Sequence, residues 1–450
     1  MSYGAYKDRW RAWLSTKRFD KEDQEGMFST KNAKEQECRS SIDADIGRIV
    51  FSQPFRRLAG KTQVHPFSSV DYVHNRLTHS IEVGYVSYEL GKRVASFILN
   101  EKGDLQTKDQ INEIGLICQA AGLMHDIGNP PYGHAGEDAI RAWASQLEIQ
   151  KNIKNLCGEK ILNDFLYFDG NAQAFRMAIN LMPRETCYFK LTLPVLGAMI
   201  KYPWTTNSKK GKESKKSTAF SSEEQIFGCL MKEFGLKEGQ RHPLSFITEA
   251  ADDICYRISD FEDAVLMGII DDGAVKKLLL DGMTFDCQQR LKTASLQRIK
   301  AKAIGDLIDA FVSAFKDKYE DIVRGTMIGD LKSTVSDRWG GVLARIKQKY
   351  ESIFSERKKV ITEIGSYGQI ERILERYLKF LSAIKTPKGN PVQYSELPFA
   401  CQRLVTLAWG GSEYYKQNAS QNVGWWAHAV LDFVVGMTDD YLHKIAVEIL

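Results

Sequence analysis

The chain has 450 residues, 43% of them hydrophobic and 26% charged, with a formal net charge of +4. That length suits one large domain or two to three ordinary ones, and that composition excludes a disordered chain. No apolar stretch approaches the ~20 residues of a membrane span, and so small a net charge excludes nucleic-acid binding by bulk charge alone.

The N-terminus, MSYGAYKDRWRAW, lacks the apolar core of a signal peptide. Cysteines 38, 118, 157, 187, 229, 255, 287 and 401 stand singly, with no CxxC. Several lie inside apolar runs, so reduced core residues of a cytoplasmic protein are expected. The first informative stretch is FRRLAGKTQVH, which supplies Arg56, Arg57, Lys61 and Gln63. In RLTHSIEVGYVSYELGKRVASFIL, the residues Leu77, Ile81, Val83, Tyr85, Leu90, Val94 and Phe97 recur at helical spacing. INEIGLICQAAGLM continues that pattern and runs into HDIGNPPYGHAGED, where two prolines end the helix. Helices are also expected around 160–182, 246–271, 298–323, 340–385 and 425–450. Alternating strand patterns are scarce and no internal repeat is present, so the fold class is mostly α. Residues 202–225, rich in Lys, Ser and Gly, read as a mobile basic surface loop. Turn signals in 386–397 divide a core of residues 1–385 from a C-terminal helical region, 386–450, expected to pack on that core.

Four of the eight histidines fall between His65 and His125. His79, the adjacent pair His125–Asp126 and the acidic run EAADDICYRISDFED each sit on an expected helix or at its end. Two imidazoles and two carboxylates from separate helices supply four ligands to a divalent metal and leave positions open for water and substrate. The mixed nitrogen and oxygen set suits manganese or magnesium, and also iron, cobalt or nickel. A lone buried histidine is more often a hydrogen-bonded core residue, but an aspartate beside it in an apolar run shifts the balance, because a buried unpaired carboxylate costs several kcal/mol. Asp252, Tyr256 and Asp260 are spaced by four and share a helix face, which selects Asp252 as the ligand. Asp253, Glu262 and Asp263 read as solvated surface or ion pairs. His134 and Glu137 are one-turn neighbours, a histidine oriented by a carboxylate, suited to general acid–base work. Gly133 and Gly136 would let backbone approach a ligand. Arg76, three residues before His79, and Lys201, at the end of an apolar run, could hold a phosphate.

His79…His125–Asp126…Asp252 resembles the H…HD…D pattern of HD-domain phosphohydrolases. FRRLAGKTQV, NRLTHSIEV, HDIGNPPYGHAGE, FDGNAQAFR, IKYPW and EAADDICYRISDFEDA, with VVGMTDDY near the C-terminus, are together similar to deoxyguanosinetriphosphate triphosphohydrolases and related dNTPases. The resemblance implies an HD-domain helical fold with additional C-terminal helices, and hydrolysis of a dNTP to deoxynucleoside and inorganic triphosphate. It implies His79, His125, Asp126 and Asp252 as metal ligands and His134 with Glu137 as the catalytic pair. Gln63, Tyr256 and Asp260 match positions that read the sugar 3′-hydroxyl, with Tyr256 placed to crowd a ribose 2′-hydroxyl. Arg76 and Lys201 match phosphate contacts. Asn129 stands where some relatives have histidine, and Asn171 and Gln173 are expected at the pocket without assigned roles. Homo-oligomers, hexamers or tetramers, and activation by a nucleotide or single-stranded DNA are also implied. Two other functions stay open: another HD phosphohydrolase, acting on nucleoside monophosphates or cyclic dinucleotides, and a nucleic-acid-binding regulator using Lys209, Lys210, Lys212, Lys215 and Lys216.

Overall fold

A computed structural model describes residues 3–19, 28–29, 39–64, 70–180, 189–335, 338–355, 357–385 and 390–448. Cys38, His65, Cys187 and the first residues of the 386–397 turn segment lie outside these. Among the described residues there are 22 α-helices and one pair of two-residue strands, β1 (Arg18–Phe19) and β2 (Phe28–Ser29), joined antiparallel. The fold is mostly α, as expected, and the six described cysteines are free thiols.

Helix α1 (Lys7–Trp13) buries Trp10 and Trp13, and α2 (Ser41–Val50) and α3 (Gln53–Arg57) follow. Next come α4 (Arg76–Phe97) and α5 (Asp109–Met124), the centre of the molecule. Asn75 and Thr78 cap α4 reciprocally, each side chain accepting the other's backbone N–H. The two helices run antiparallel along a glycine seam. A Cβ on Gly91 would lie 3.1 Å from Gly115 Cα, and one on Gly122 would lie 3.0 Å from Gly84 Cα. Each mid-helix glycine costs roughly 1 kcal/mol. Close packing of Val83, Leu90, Val94, Ile114, Ile117 and Leu123, all buried, returns ~1.5–3 kcal/mol per side chain. Glycines seven apart in both helices set the register, and that register delivers His79, near the start of α4, beside His125, just after α5.

After the Asn-Pro-Pro turn the chain forms α6 (His134–Ser145), α7 (Leu147–Cys157), α8 (Glu159–Leu166) and α9 (Gly170–Ile179). The single helix expected over 160–182 is thus two, because Asp169 caps α9 through the N–H of Asn171, 2.9 Å away. Helices α10 (Leu193–Met199), α11 (Lys209–Ser214) and α12 (Glu224–Glu233) lead to α13 (Pro243–Leu266), which packs against both α4 and α5. Helices α14 (Asp272–Leu280), α15 (Phe285–Leu291), α16 (Leu296–Arg324) and α17 (Arg338–Phe354) complete the first core. The second contains α6–α8 with α18 (Arg357–Ala383), α19 (Phe399–Trp409), α20 (Ser412–Asn418), α21 (Val423–Val435) and α22 (Asp439–Glu448).

Two expectations differ from the structure here. A boundary at 385/386 would cut the second core, since Ile370, Tyr377 and Phe380 pack in one cluster with Trp143, Phe165, Trp409 and Trp426. Chain position is a poor guide because α18 packs on α6, which precedes it by more than 200 residues. Residues 202–225 are folded rather than a solvated loop. Thr206, Ser217, Thr218, Ala219 and Phe220 are buried. Phe220 stacks at 5.8 Å on Phe168 and 5.7 Å on His428. Asp164 accepts from the Thr206 hydroxyl and from the Ser221 N–H at 3.0 Å. Lysine content predicted solvation, but a few hydroxyls and one phenylalanine anchor the segment.

Candidate active site

The space between the two cores is a cavity of ≈560 Å³, walled by α13, α6, the Thr62–Val64 segment, Lys201–Tyr202, Lys216 and the start of α18. Along α13, Ser245, Thr248, Glu249, Asp252, Asp253 and Tyr256 face it at helical spacing. Asp253 belongs to that wall's edge, where Lys332 Nζ pairs with it at 3.0 Å. Asp263 is fully buried against His74 Nδ1 at 2.7 Å, and Glu262 pairs with Lys300. Ion pairing therefore holds for all three acids, and solvated surface does not describe Asp263.

Donor atoms of His79, His125 and Asp126 all lie within 4.8 Å of one another. Asp252 joins them: its Oδ1 is 3.2 Å from His79 Nε2 and 3.5 Å from His125 Nε2. His125 donates Nδ1–H to the Gly122 carbonyl at 2.7 Å, which turns Nε2 inward with its lone pair exposed. That buried Nε2 has no hydrogen bond among the described residues. Two imidazoles and two carboxylates converging on one point, with His125 Nε2 orphaned there and His79 Nδ1 also unpartnered among the described residues, fit a divalent cation. Burial raises the Asp252 carboxyl, but the imidazoles of His125 and His79 and the Lys201 ammonium outweigh it and hold it well below the ordinary carboxylate range. Asp126 is also held low: Arg76, His125 and His79 overcome its burial.

Asp126 is positioned on both oxygens. Arg76 Nη1 donates to Oδ2 at 2.7 Å and Asn129 Nδ2 donates to Oδ1. This gives Asn129 a concrete task, orienting the Asp126 carboxylate. Gly133 and Gly136 leave room for protein rather than ligand: a Cβ on Gly133 would lie 2.1 Å from Arg76 Nη2, and one on Gly136 2.1 Å from the Pro131 carbonyl.

His134 opens α6 with its imidazole 76% exposed at the cavity, and Nδ1 lies 3.1 Å from Glu137 Oε2. Glu137 is buried and accepts the Gly170 N–H at 2.7 Å on its other oxygen. Burial would raise this carboxyl, but the hydrogen bond with His134 and the charges of Lys216 and His134 bring it down to about 2. Gln63, Lys201 and Tyr256 also line the cavity. Gln63 Oε1 is buried with no hydrogen-bond partner among the described residues. Lys201 Nζ stands 3.7 Å from Asp252 Oδ2 and 3.6 Å from Glu249 Oε1. Tyr256 stacks on Tyr350 at 5.3 Å.

Asp260 departs from the expected arrangement. It is 1% exposed and absent from the cavity wall among the described residues. Eight residues beyond Asp252, a helix has rotated by about 80° and risen ~12 Å, which carries the side chain behind Tyr256. There its carboxyl faces the hydroxyls of Tyr256 and Tyr350, and burial pushes it up to about 8. Asn171 reaches the cavity, whereas Gln173 is buried and donates to Asp432 at 2.7 Å.

Residues 76–192 match the HD domain family. A deoxyguanosinetriphosphate triphosphohydrolase-like protein of Pseudomonas aeruginosa (strain LESB58) is 34% identical over 91% of this chain and 93% of its own length. The chain belongs to the deoxyguanosinetriphosphate triphosphohydrolase-like family. A second such triphosphohydrolase-like protein, from Listeria innocua serovar 6a, is 32% identical over 96% of this chain and 97% of its own. The deoxyguanosinetriphosphate triphosphohydrolase of Salmonella typhimurium is 36% identical over 51% of each chain. This triphosphohydrolase-like chain is therefore an HD-domain enzyme, and no described helix is long and apolar enough to cross a membrane.

In this triphosphohydrolase-like enzyme several cavity residues escaped the sequence reading. Lys216 Nζ points inward, 3.5 Å from Glu137 Oε2 and 4.0 Å from Asp169 Oδ2. It was hidden in a lysine run, four of whose members, Lys209, Lys210, Lys212 and Lys215, are not on the cavity wall. Its one signal is the following Ser-Thr-Ala-Phe, an anchor rather than a solvated tail. Lys359 and Glu363 enter from α18, more than 200 residues after the HD pair, with no local pattern to mark them.

Proposed function

We propose that the chain hydrolyses a deoxynucleoside triphosphate, dGTP the favoured one, to deoxynucleoside and inorganic triphosphate by attack of water on the α-phosphorus. One observation carries the reading: a single cavity is lined by His125, Asp126 and Asp252, with His79 clustered behind them, and by the His134–Glu137 pair, the amines of Lys201 and Lys216, and Gln63. A divalent ion held by His79, His125, Asp126 and Asp252, manganese or magnesium first and iron, cobalt or nickel next, would supply Lewis acidity to water and to the α-phosphate.

The chain's own groups do the rest. Glu137, ionised, engages His134 at Nδ1 and leaves Nε2 to protonate the departing 5′ oxygen. Lys201 and Lys216 stabilise the charge of the triphosphate as it develops. Arg76 Nε, buried with no hydrogen-bond partner among the described residues, adds a donor to phosphate. Gln63 Oε1 accepts the sugar 3′-hydroxyl, which supplies the donor that oxygen lacks. Tyr256, backed by Tyr350, closes against a 2′-hydroxyl, and Asp260 supports Tyr256 from behind instead of touching the sugar.

The test is a product assay. Each of the four dNTPs, and GTP, is incubated with protein and manganese, and products are separated by anion exchange. Inorganic triphosphate with free deoxynucleoside is expected, fastest from dGTP and slowest from GTP. Monophosphate products, or no triphosphate from any dNTP with metal bound, would overturn the proposal.

A further inference from the structure

The C-terminal VVGMTDDY motif lies more than 170 residues beyond Asp252, yet it reaches two walls of the cavity through one side chain. Between α21 and α22 the chain turns at Gly436–Thr438. Thr438 Oγ1 accepts the Tyr441 N–H at 3.3 Å and caps α22, so the Asp439 carboxylate is not spent on its own helix. Asp439 is 3% exposed, and its oxygens serve two separate segments. Oδ2 accepts the Thr62 N–H at 2.8 Å, and Oδ1 accepts the Tyr132 N–H at 2.9 Å.

Both amides matter by position. Thr62 immediately precedes Gln63, and Tyr132 stands two residues before His134; Thr62 and Tyr132 themselves line the cavity. Tyr132 has φ +60°, a left-handed conformation that a bulky side chain rarely adopts and that surroundings must hold. A second brace joins the same segments. The buried Lys61 Nζ donates to the Asn129 carbonyl at 2.7 Å and to the Val435 carbonyl at 2.6 Å. The approach is close enough that a Cβ on Gly60 would lie 2.6 Å from Thr438 Cγ2.

We infer that Asp439 is a positioning residue for the reaction. It sets the sugar-reading segment at Gln63 and the proton-donor turn at His134 in register with each other, and it touches neither substrate nor reacting atoms. This rests on the function proposed above. Misplacement of a reacting group by about 1 Å costs ~10²-fold in rate, so a carboxylate shared by the two walls controls turnover from outside the cavity.

Asp439→Asn tests it. An amide offers one carbonyl oxygen, so it can accept from one backbone N–H and must turn an NH₂ toward the other, while Lys61 keeps the segments assembled. Expected are unchanged metal content, loss of hydrogen-exchange protection in the peptide holding Thr62 or the one holding Tyr132, and a fall of ~10–10² in kcat/KM for dGTP. The discriminating readout is the ratio of kcat/KM for dGTP to that for its 2′,3′-dideoxy counterpart. A merely structural loss lowers both rates together and leaves this ratio alone; a shifted Gln63, whose partner only the 3′-hydroxyl substrate carries, changes it several-fold. Should Asp439→Asn fail to fold, Lys61→Met cuts the other brace between the same segments and is expected to shift the same ratio. An unchanged ratio in the folded variant, whatever its turnover, overturns the positioning role alone. A wild-type protein releasing no triphosphate from any dNTP sinks the functional reading instead, and exchange then decides the brace: unaltered protection at both amides overturns it.

Discussion

His125 and His428 are both largely buried imidazoles beside an aspartate, each in a helical core. His428 has both ring nitrogens engaged, Nε2 with Asp164 Oδ2 at 2.9 Å and Nδ1 with Ser222 Oγ at 3.1 Å. Asp164 is equally saturated, holding Ser221 and Thr206 as well. His125 has one nitrogen committed to a backbone carbonyl and the other orphaned, with two carboxylates within 3.5 Å. A closed network of donors and acceptors stiffens a core, and a network left one partner short holds something else. The same residue types thus build a staple in one place and a cluster fit to hold a metal in the other.

The comparison breaks first at the metal. Chelation with EDTA is expected to abolish turnover, and manganese to restore it; His125→Ala should lose bound metal, by elemental analysis, and not recover. Retained stoichiometric metal in that variant would remove the distinction between the two histidines. A smaller effect separates ligand from proton donor. His134→Ala should cut kcat by ~10²–10⁴ with metal content unchanged; metal loss there would make His134 a ligand.

His242 extends the comparison to a third buried imidazole. Its Nδ1 accepts the Leu244 N–H at 3.2 Å and its Nε2 faces the Trp13 carbonyl at 3.3 Å. Burial lowers it to about 4. The unfolded chain binds a proton below pH 6.5 and the folded one does not until about pH 4. Stability from this group is therefore complete above pH 6.5 and lost as pH falls toward 4, roughly 3 kcal/mol in all. His242→Asn keeps an acceptor for the Leu244 N–H, so its urea-unfolding free energy should fall less steeply over that window; an identical slope would exclude His242 as the titrating group. The smallest change is His428→Gln, expected to lower stability by ~1–3 kcal/mol through a weakened Asp164 network. Metal content and kcat should match wild type, and loss of either would place His428 within reach of the site.

The clustering of His79, His125, Asp126 and Asp252 and the contact of His134 with Glu137 were legible because each rests on residues placed by local spacing. An HD pair closing an apolar helix, an i,i+3 pair after a proline turn and an i,i+4 ladder on α13 are consequences of helical period. Asp260 shows the limit of that period, since two further turns rotate a side chain off the wall that Asp252 defines. Lys216 shows the limit of composition, since one lysine in a run of solvated ones is turned inward by its neighbours' anchors.

What the amino-acid order determined by itself was the helical class, the helical spacing along α4 and α5, and the candidate ligands His79, His125, Asp126 and Asp252 placed on or beside those helices and α13. What only the tertiary structure decided was closure. Asp439, Lys61, Lys216, Lys359 and Glu363 reach the cavity region from segments whose positions depend on packing between two cores. Those contacts span up to 377 residues of chain, and no periodicity in a sequence encodes a distance that is set by side-chain packing.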